Sequence, residues 1–109
     1  MTDHLTLSKF QALTSKHPTR LPVYVQESSD GVAMTKRKFL VPREFTAAQL
    51  LLSIRHHCID IKESEALYML CGSRLFTAST TVQDMWQFYK DRNAHQFLVV
   101  TVTKESTFG

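Results

Sequence analysis

Three stretches carry side chains that could do chemistry. The first is His56-His57-Cys58, two imidazoles and a thiol in three positions. Such groups bind metals or form activated nucleophiles when they converge. Consecutive helical positions point in different directions, however, and the chain holds neither a CxxC nor an HxxxH spacing. No metal site and no cofactor is expected. Cys58 falls on an apolar helical stripe and Cys71 closes an apolar run, so both read as buried free thiols in a reducing compartment. A thiol enzyme would lose activity on Cys58→Ala; an effect on folding alone is expected instead. Gly31, Gly72 and Gly109 are isolated, so no glycine-rich phosphate loop exists, and the chain is not expected to be an enzyme.

The second stretch is Lys36-Arg37-Lys38-Phe39-Leu40-Val41-Pro42. Its alternation sends Phe39 and Val41 to one side of a strand, Lys38 and Leu40 to the other. Pro42 cannot donate to a ladder, so the strand ends there or lies at a sheet edge. An edge strand flanked by cations can accept an added strand from an acidic peptide. The third stretch is the tail, Lys104 to Gly109, which lacks core periodicity. A terminal glycine has no Cβ and can thread a narrow enzyme channel. Gly109 reads as a group acted upon by other enzymes.

The elements that must position these groups follow from periodicity. Leu5, Leu7, Phe10 and Leu13 make a short amphipathic helix plausible over 4–16, ended by His17-Pro18. Arg20 to Gln26 alternates as a strand with Leu21, Val23 and Val25 on a core face and Pro22 and Tyr24 opposite. Glu27 to Thr35, with Ser-Ser-Asp-Gly, reads as a hairpin loop. Thr46-Ala-Ala-Gln49 is a capping box, and Ala47, Leu50, Leu51, Ile54 and Cys58 form one stripe on the helix it opens. Ala66 to Cys71 reads as a buried strand and Gly72-Ser73 as a turn. Thr81 to Asp84 caps a second helix, where Trp86 is a packing residue. Phe97 to Val102 is apolar on both faces and reads as a central strand.

Helix, two strands, long helix, strand, short helix and strand suggest an α+β fold. The expected form is a ubiquitin-like β-grasp: a four-stranded mixed sheet with a crossing helix. The added feature is a short N-terminal helical extension. At 109 residues one domain is expected: 1–18 as the extension, 19–103 as the core and 104–109 as the exposed tail. The net charge of +3 is uneven. Residues 1–55 carry eight Lys/Arg against four Asp/Glu, the rest five against six. That asymmetry suits acidic peptides or an anionic membrane and is too weak for nucleic acid. No apolar run approaches the ~20 residues of a membrane span and no signal peptide is visible, so a cytoplasmic address is expected.

The basic strand, Ile54-Arg55, Phe97-Leu98 and the terminal Glu105-Ser-Thr-Phe-Gly109 together resemble the autophagy modifier family that includes GABARAP and autophagy-related protein 8. The likeness runs in register from about Leu13 to Gly109. It implies conjugation of Gly109 to phosphatidylethanolamine and location on the autophagosome membrane when lipidated. Its implied partners are ubiquitin-like activating and conjugating enzymes and a deconjugating cysteine protease. It also implies cargo receptors and adaptors carrying short aromatic-x-x-aliphatic motifs. Carried over by residue, a first pocket for the aromatic side chain is lined by Leu13, Pro22, Tyr24, Lys38, Leu40 and Phe97. A second, for the aliphatic one, is lined by Phe39, Val41, Pro42, Phe45, Leu50 and Ile54. Lys36, Arg37 and Arg55 then meet acidic residues around the motif.

This sequence departs from the family pattern at several places. The first of two N-terminal helices is mostly absent, and Lys9 stands where an acidic residue is frequent. Tyr24 replaces a smaller aliphatic, Ser53 a common leucine, and Met85-Trp86 an aliphatic-Tyr pair. His56-His57-Cys58 holds one extra residue. Two other readings stand beside the lipid modifier: a protein-conjugated modifier, whose relatives usually end in Trp-Gly where this chain has Phe108-Gly109, and an unconjugated peptide-binding adaptor.

Overall fold

The computed structural model describes residues 4–27 and 32–104. Helix α1 (Leu7–Lys16) begins at Thr6, whose hydroxyl accepts from the Lys9 N–H at 3.2 Å. Leu5 and Phe10 flank that cap at the positions where an apolar pair fixes the angle of chain entry, and both are buried. Strand β1 (Arg20–Gln26) is followed by β2 (Lys38–Pro42). Helix α2 (Ala47–Arg55) opens on the expected capping box: the Gln49 N–H donates to Thr46 Oγ1 at 3.2 Å, and the Thr46 N–H to Gln49 Oε1 at 2.9 Å. Strand β3 (Leu67–Leu70), helix α3 (Val82–Tyr89) capped by Thr81, a 3-10 turn (Lys90–Arg92) and strand β4 (Leu98–Lys104) complete the order.

The four strands lie in the order β2-β1-β4-β3. β1 runs antiparallel to β2 and parallel to β4, and β4 antiparallel to β3. This is the expected mixed β-grasp sheet, and β4 is central as its two apolar faces require. Paired residues share a face, so Leu21, Val23 and Val25 lie with Phe39, Val41, Leu98 and Val100. Leu50 and Ile54 of α2 join them in one buried cluster. On the other face Tyr24 lies beside Val99. There α1 supplies Phe10, whose ring meets Phe97 edge-on at 5.7 Å.

Three expectations change. The apolar stripe of α2 runs to Cys58, but the helix stops at Arg55: the N–H groups of His57 and Cys58 bond back only to Ile54 and Arg55. The chain is drawn away there because the Thr35 N–H reaches the His57 carbonyl and the Ile59 N–H that of Ala33, each at 2.8 Å. The run 66–71 is an edge strand, with Leu67 buried and Tyr68 exposed. β1 is buried on both faces, because the N-terminal segment covers Pro22 and Tyr24. Residues 28–31 of the expected hairpin loop lie outside the described residues.

Pro22 in a strand flanked on both sides is accommodated by register. It pairs with Leu40 on the β2 side, while the ladder to β4 begins only at Val23. The missing N–H therefore falls where no partner awaits it.

Candidate functional site

The exposed edge of β2 has a definite polarity. The Val25 N–H donates to the Arg37 carbonyl at 2.8 Å. Along an antiparallel pair, residues alternate between facing the partner and facing away. From that bond onward Phe39 and Val41 turn their N–H and C=O toward β1, and Lys38 and Leu40 turn theirs to the open edge. Pro42, next in the outward set, has no N–H and ends the usable edge. The Leu40 carbonyl is reached by Arg20 Nη1 at 3.2 Å.

Beside this edge opens a cavity of about 520 Å³ between α1, β1 and β2. Leu13, Pro22, Lys38, Leu40 and Phe97, all expected there, line it. Tyr24 does not: it is only 5% exposed, and the His4 ring meets it edge-on at 5.1 Å. His4, Leu5, Lys9 and Ala12 line the cavity as well and were not read from the sequence as site residues. The signal was available for part of this set, since Lys9, Ala12 and Leu13 sit at offsets 0, 3 and 4 on one helix face. Lys9 Nζ donates to the His4 carbonyl at 2.9 Å, bracing the N-terminal segment over the opening.

Phe97 forms the back of the cavity and is itself backed by rings. Phe10 meets it edge-on, and Trp86 stacks on Phe10 at 5.9 Å with planes 11° apart. The guanidinium of Arg43 lies 5.8 Å from the Trp86 ring and bonds the Pro18 carbonyl (2.9 Å) and Gln83 Oε1 (2.6 Å). Trp86 is thus a packing residue, as expected.

The residues assigned to a second pocket range from fully buried to half-buried. Leu50 and Ile54 are 0% exposed, Phe39 and Val41 are buried, and Pro42 and Phe45 are half-buried. The first four are core in this structure, and Phe39 also borders the first cavity. The expected charge contacts are partly used inside the chain. Arg55 donates to the carbonyls of Glu65 and Lys62, both at 2.6 Å, and of Glu63 at 3.1 Å. Arg37 donates to those of Val25 and Val32. Lys36 Nζ lies 5.0 Å from the Phe39 ring centroid, and Lys38 is exposed.

Burial pushes the Cys71 thiol up to about 12 and raises that of Cys58, against the opposing pull of Arg55, Arg37 and Lys104. Neither thiol supplies a nucleophilic thiolate near neutral pH. Among the described residues no three His, Cys, Asp or Glu side chains gather as a metal site, and no helix is long and apolar enough to cross a membrane. Gly109 lies outside the described residues.

The chain matches the family model "Autophagy protein Atg8 ubiquitin like" over residues 6–109. It is 29% identical over 101 residues to autophagy-related protein 8 of Dictyostelium discoideum, covering 91% of this chain and 81% of that one. It is 32% identical over 101 residues to human microtubule-associated protein 1 light chain 3 gamma, covering 89% and 67%. The crystal structure of Trypanosoma brucei ATG8 superposes with a TM-score of 0.82 at 25% identity, over 94% of this chain and 88% of that one.

Proposed function

Because the chain belongs to the Atg8 family of ubiquitin-like autophagy proteins, we propose that it works as a membrane-attached docking platform. Its C-terminal Gly109 is joined to phosphatidylethanolamine, and its β2 edge takes up aromatic-x-x-aliphatic motifs of cargo receptors and adaptors. It resides in the cytoplasm before conjugation and on the autophagosome membrane after it.

The observation that carries the docking half is the juxtaposition of the outward Lys38 and Leu40 backbone groups with the 520 Å³ apolar cavity. A peptide added beside β2 gains main-chain hydrogen bonds from the edge and buries one ring in the cavity. Its aliphatic residue comes to rest over Pro42 and Phe45, above Leu50 and Ile54. Lys36 and Lys38 steer acidic partners, an effect felt mainly in association rate.

The conjugation half is chemistry done by other proteins. The Gly109 carboxylate is activated with ATP to an acyl adenylate, releasing pyrophosphate. The cysteine of an activating enzyme displaces AMP to form a thioester, and the cysteine of a conjugating enzyme then takes the acyl group, freeing the first thiol. The lipid amine displaces the second thiol to leave an amide, which a cysteine protease can hydrolyse. Two acyl chains give stable anchoring where one is marginal.

The test is the intact mass of the protein from starved cells, with fragmentation of its C-terminal peptide. A phosphatidylethanolamine adduct on Gly109 is expected. An unmodified carboxylate, where a control modifier is lipidated, would reduce the function to docking. For the groove, Lys38→Glu is expected to weaken an acidic aromatic-x-x-Leu peptide; unchanged affinity would remove the assignment.

A further inference from the structure

We propose that Arg20 is a movable cap on the β2 edge, and that it makes the groove select peptides with a carboxylate at the second x of the aromatic-x-x-aliphatic motif; this rests on the reading of that edge as a peptide groove. Arg20 Nη1 donates to the Leu40 carbonyl at 3.2 Å. Phe39 and Val41 turn their carbonyls to β1, and the outward carbonyl of Pro42 accepts from the Phe45 N–H at 3.1 Å. Lys38 and Leu40 therefore supply the strand's acceptors for an added strand, and a side chain of the same molecule already holds one of them. An incoming peptide N–H must displace that guanidinium to complete the ladder. Arg20 is exposed and its hydrogen bond is a weak tie, so the cap can move.

The register fixes where the guanidinium can go. Paired residues share a face of the sheet. Arg20 pairs with Pro42 and Pro22 with Leu40, so Arg20 stands on the face that carries the 520 Å³ cavity. A peptide with its ring in that cavity and its aliphatic side chain over Pro42 and Phe45 runs beside β2 in the same direction. Its side chains alternate. The ring and the second x point to the Arg20 face, the first x and the aliphatic residue to the opposite one. Arg20 is level with Pro42 and reaches back to Leu40, which sets it beside the second x. Its planar fork matches a carboxylate. Among the described residues the ion pairs within 4.0 Å are Lys90–Asp91 and Lys104–Glu65, so Arg20 has no carboxylate of its own there. A neutral second x returns the displaced guanidinium to water. An acidic one gives it a charged acceptor in place of a neutral one, a stronger bond, and leaves the Leu40 carbonyl to the peptide.

The experiment is fluorescence anisotropy of the full chain with Trp-x-x-Leu peptides of neutral flanks. The x-x pair is Ala-Ala, Glu-Ala or Ala-Glu, and each peptide is measured on the parent and on Arg20→Ala. On the parent, Ala-Glu is expected to bind about fivefold more tightly than Ala-Ala, the upper range for one exposed ion pair, and Glu-Ala to gain less than twofold. In Arg20→Ala the Ala-Ala peptide is expected to bind about threefold more tightly than on the parent, because its acceptor is free, while the advantage of Ala-Glu disappears. A cation that merely attracts acids does not produce that first effect. Unchanged or weaker binding of Ala-Ala by Arg20→Ala overturns the cap. Equal gains from Glu-Ala and Ala-Glu on the parent overturn the selection of the second x. Either result leaves the groove standing, whereas binding of no peptide by the parent removes the groove and the proposal together.

Discussion

The indole N–H of Trp86 donates to the carbonyl of Gln96 at 2.8 Å, tying α3 to the turn that delivers Phe97 to the cavity. Gln96 itself holds φ at 63°, in the left-handed region. Such a conformation costs an L-residue about 1–2 kcal/mol. Trp86→Phe keeps a ring against Phe10 and removes the donor. It is expected to lose about 1 kcal/mol, read from urea unfolding. Gln96→Gly is expected to raise stability by up to about 1 kcal/mol, because glycine adopts that φ freely. An unchanged unfolding midpoint would mean the turn stores no strain.

Leu50 and Leu52 lie on the same helix with opposite fates, 0% and 58% exposed. Leu50→Ala is expected to cost about 2–5 kcal/mol, the range for deleting a fully buried leucine. Leu52→Ala is expected to stay within about 0.5 kcal/mol of the parent. Thermal denaturation of both variants checks this. Near-native stability of Leu50→Ala would move that side chain from the core to a surface pocket.

Arg55 holds the 62–65 loop through three carbonyls. Arg55→Lys keeps the charge but cannot span the three acceptors with its single ammonium. Amide hydrogen exchange is expected to accelerate at Lys62 to Glu65 in Arg55→Lys and further in Arg55→Ala, with β1 and β4 unaffected. Protection unchanged in both variants would return Arg55 to the role of a free rim cation.

His95 accepts from the Phe97 N–H through Nδ1 at 3.0 Å, and burial holds its imidazole below the ordinary value of about 6.5. Protonating Nδ1 removes that acceptor. The unfolded chain takes up the proton first as pH falls, so the stabilising effect is complete above about 6.5 and is lost progressively below it. His95→Gln is expected to flatten stability between pH 7 and 5. An equally steep profile in the variant would assign the dependence to other groups.

Much of this arrangement is legible in the sequence because local and tertiary demands agree. Thr46 and Gln49 announce the start of α2 by side-chain chemistry alone, and the two-sided apolar run of β4 requires a central place. The readings that shift are those where long-range bonding outweighs a local pattern. Cys58 continues the stripe of α2, yet bonds from Ala33 and Thr35 end the helix earlier. Val41, Leu50 and Ile54 have the same apolar character whether they line a pocket or fill a core, and only packing separates the two. Arg55 resembles a surface cation until the carbonyls of residues 62–65 are folded around it.

The parallel pairing of β1 with β4 joins Val23 to Leu98, residues synthesised at opposite ends of the described chain. On a translating ribosome β1 and β2 emerge first and can form only a hairpin, which is marginal alone. The flank of β1 that will receive β4 stays open during most of synthesis, a template for mispairing with other nascent chains. Contacts of such long sequence separation also slow folding relative to a helical bundle. A transcript truncated before Leu98 therefore yields a chain with an unclosed sheet, a natural client for chaperones and proteases.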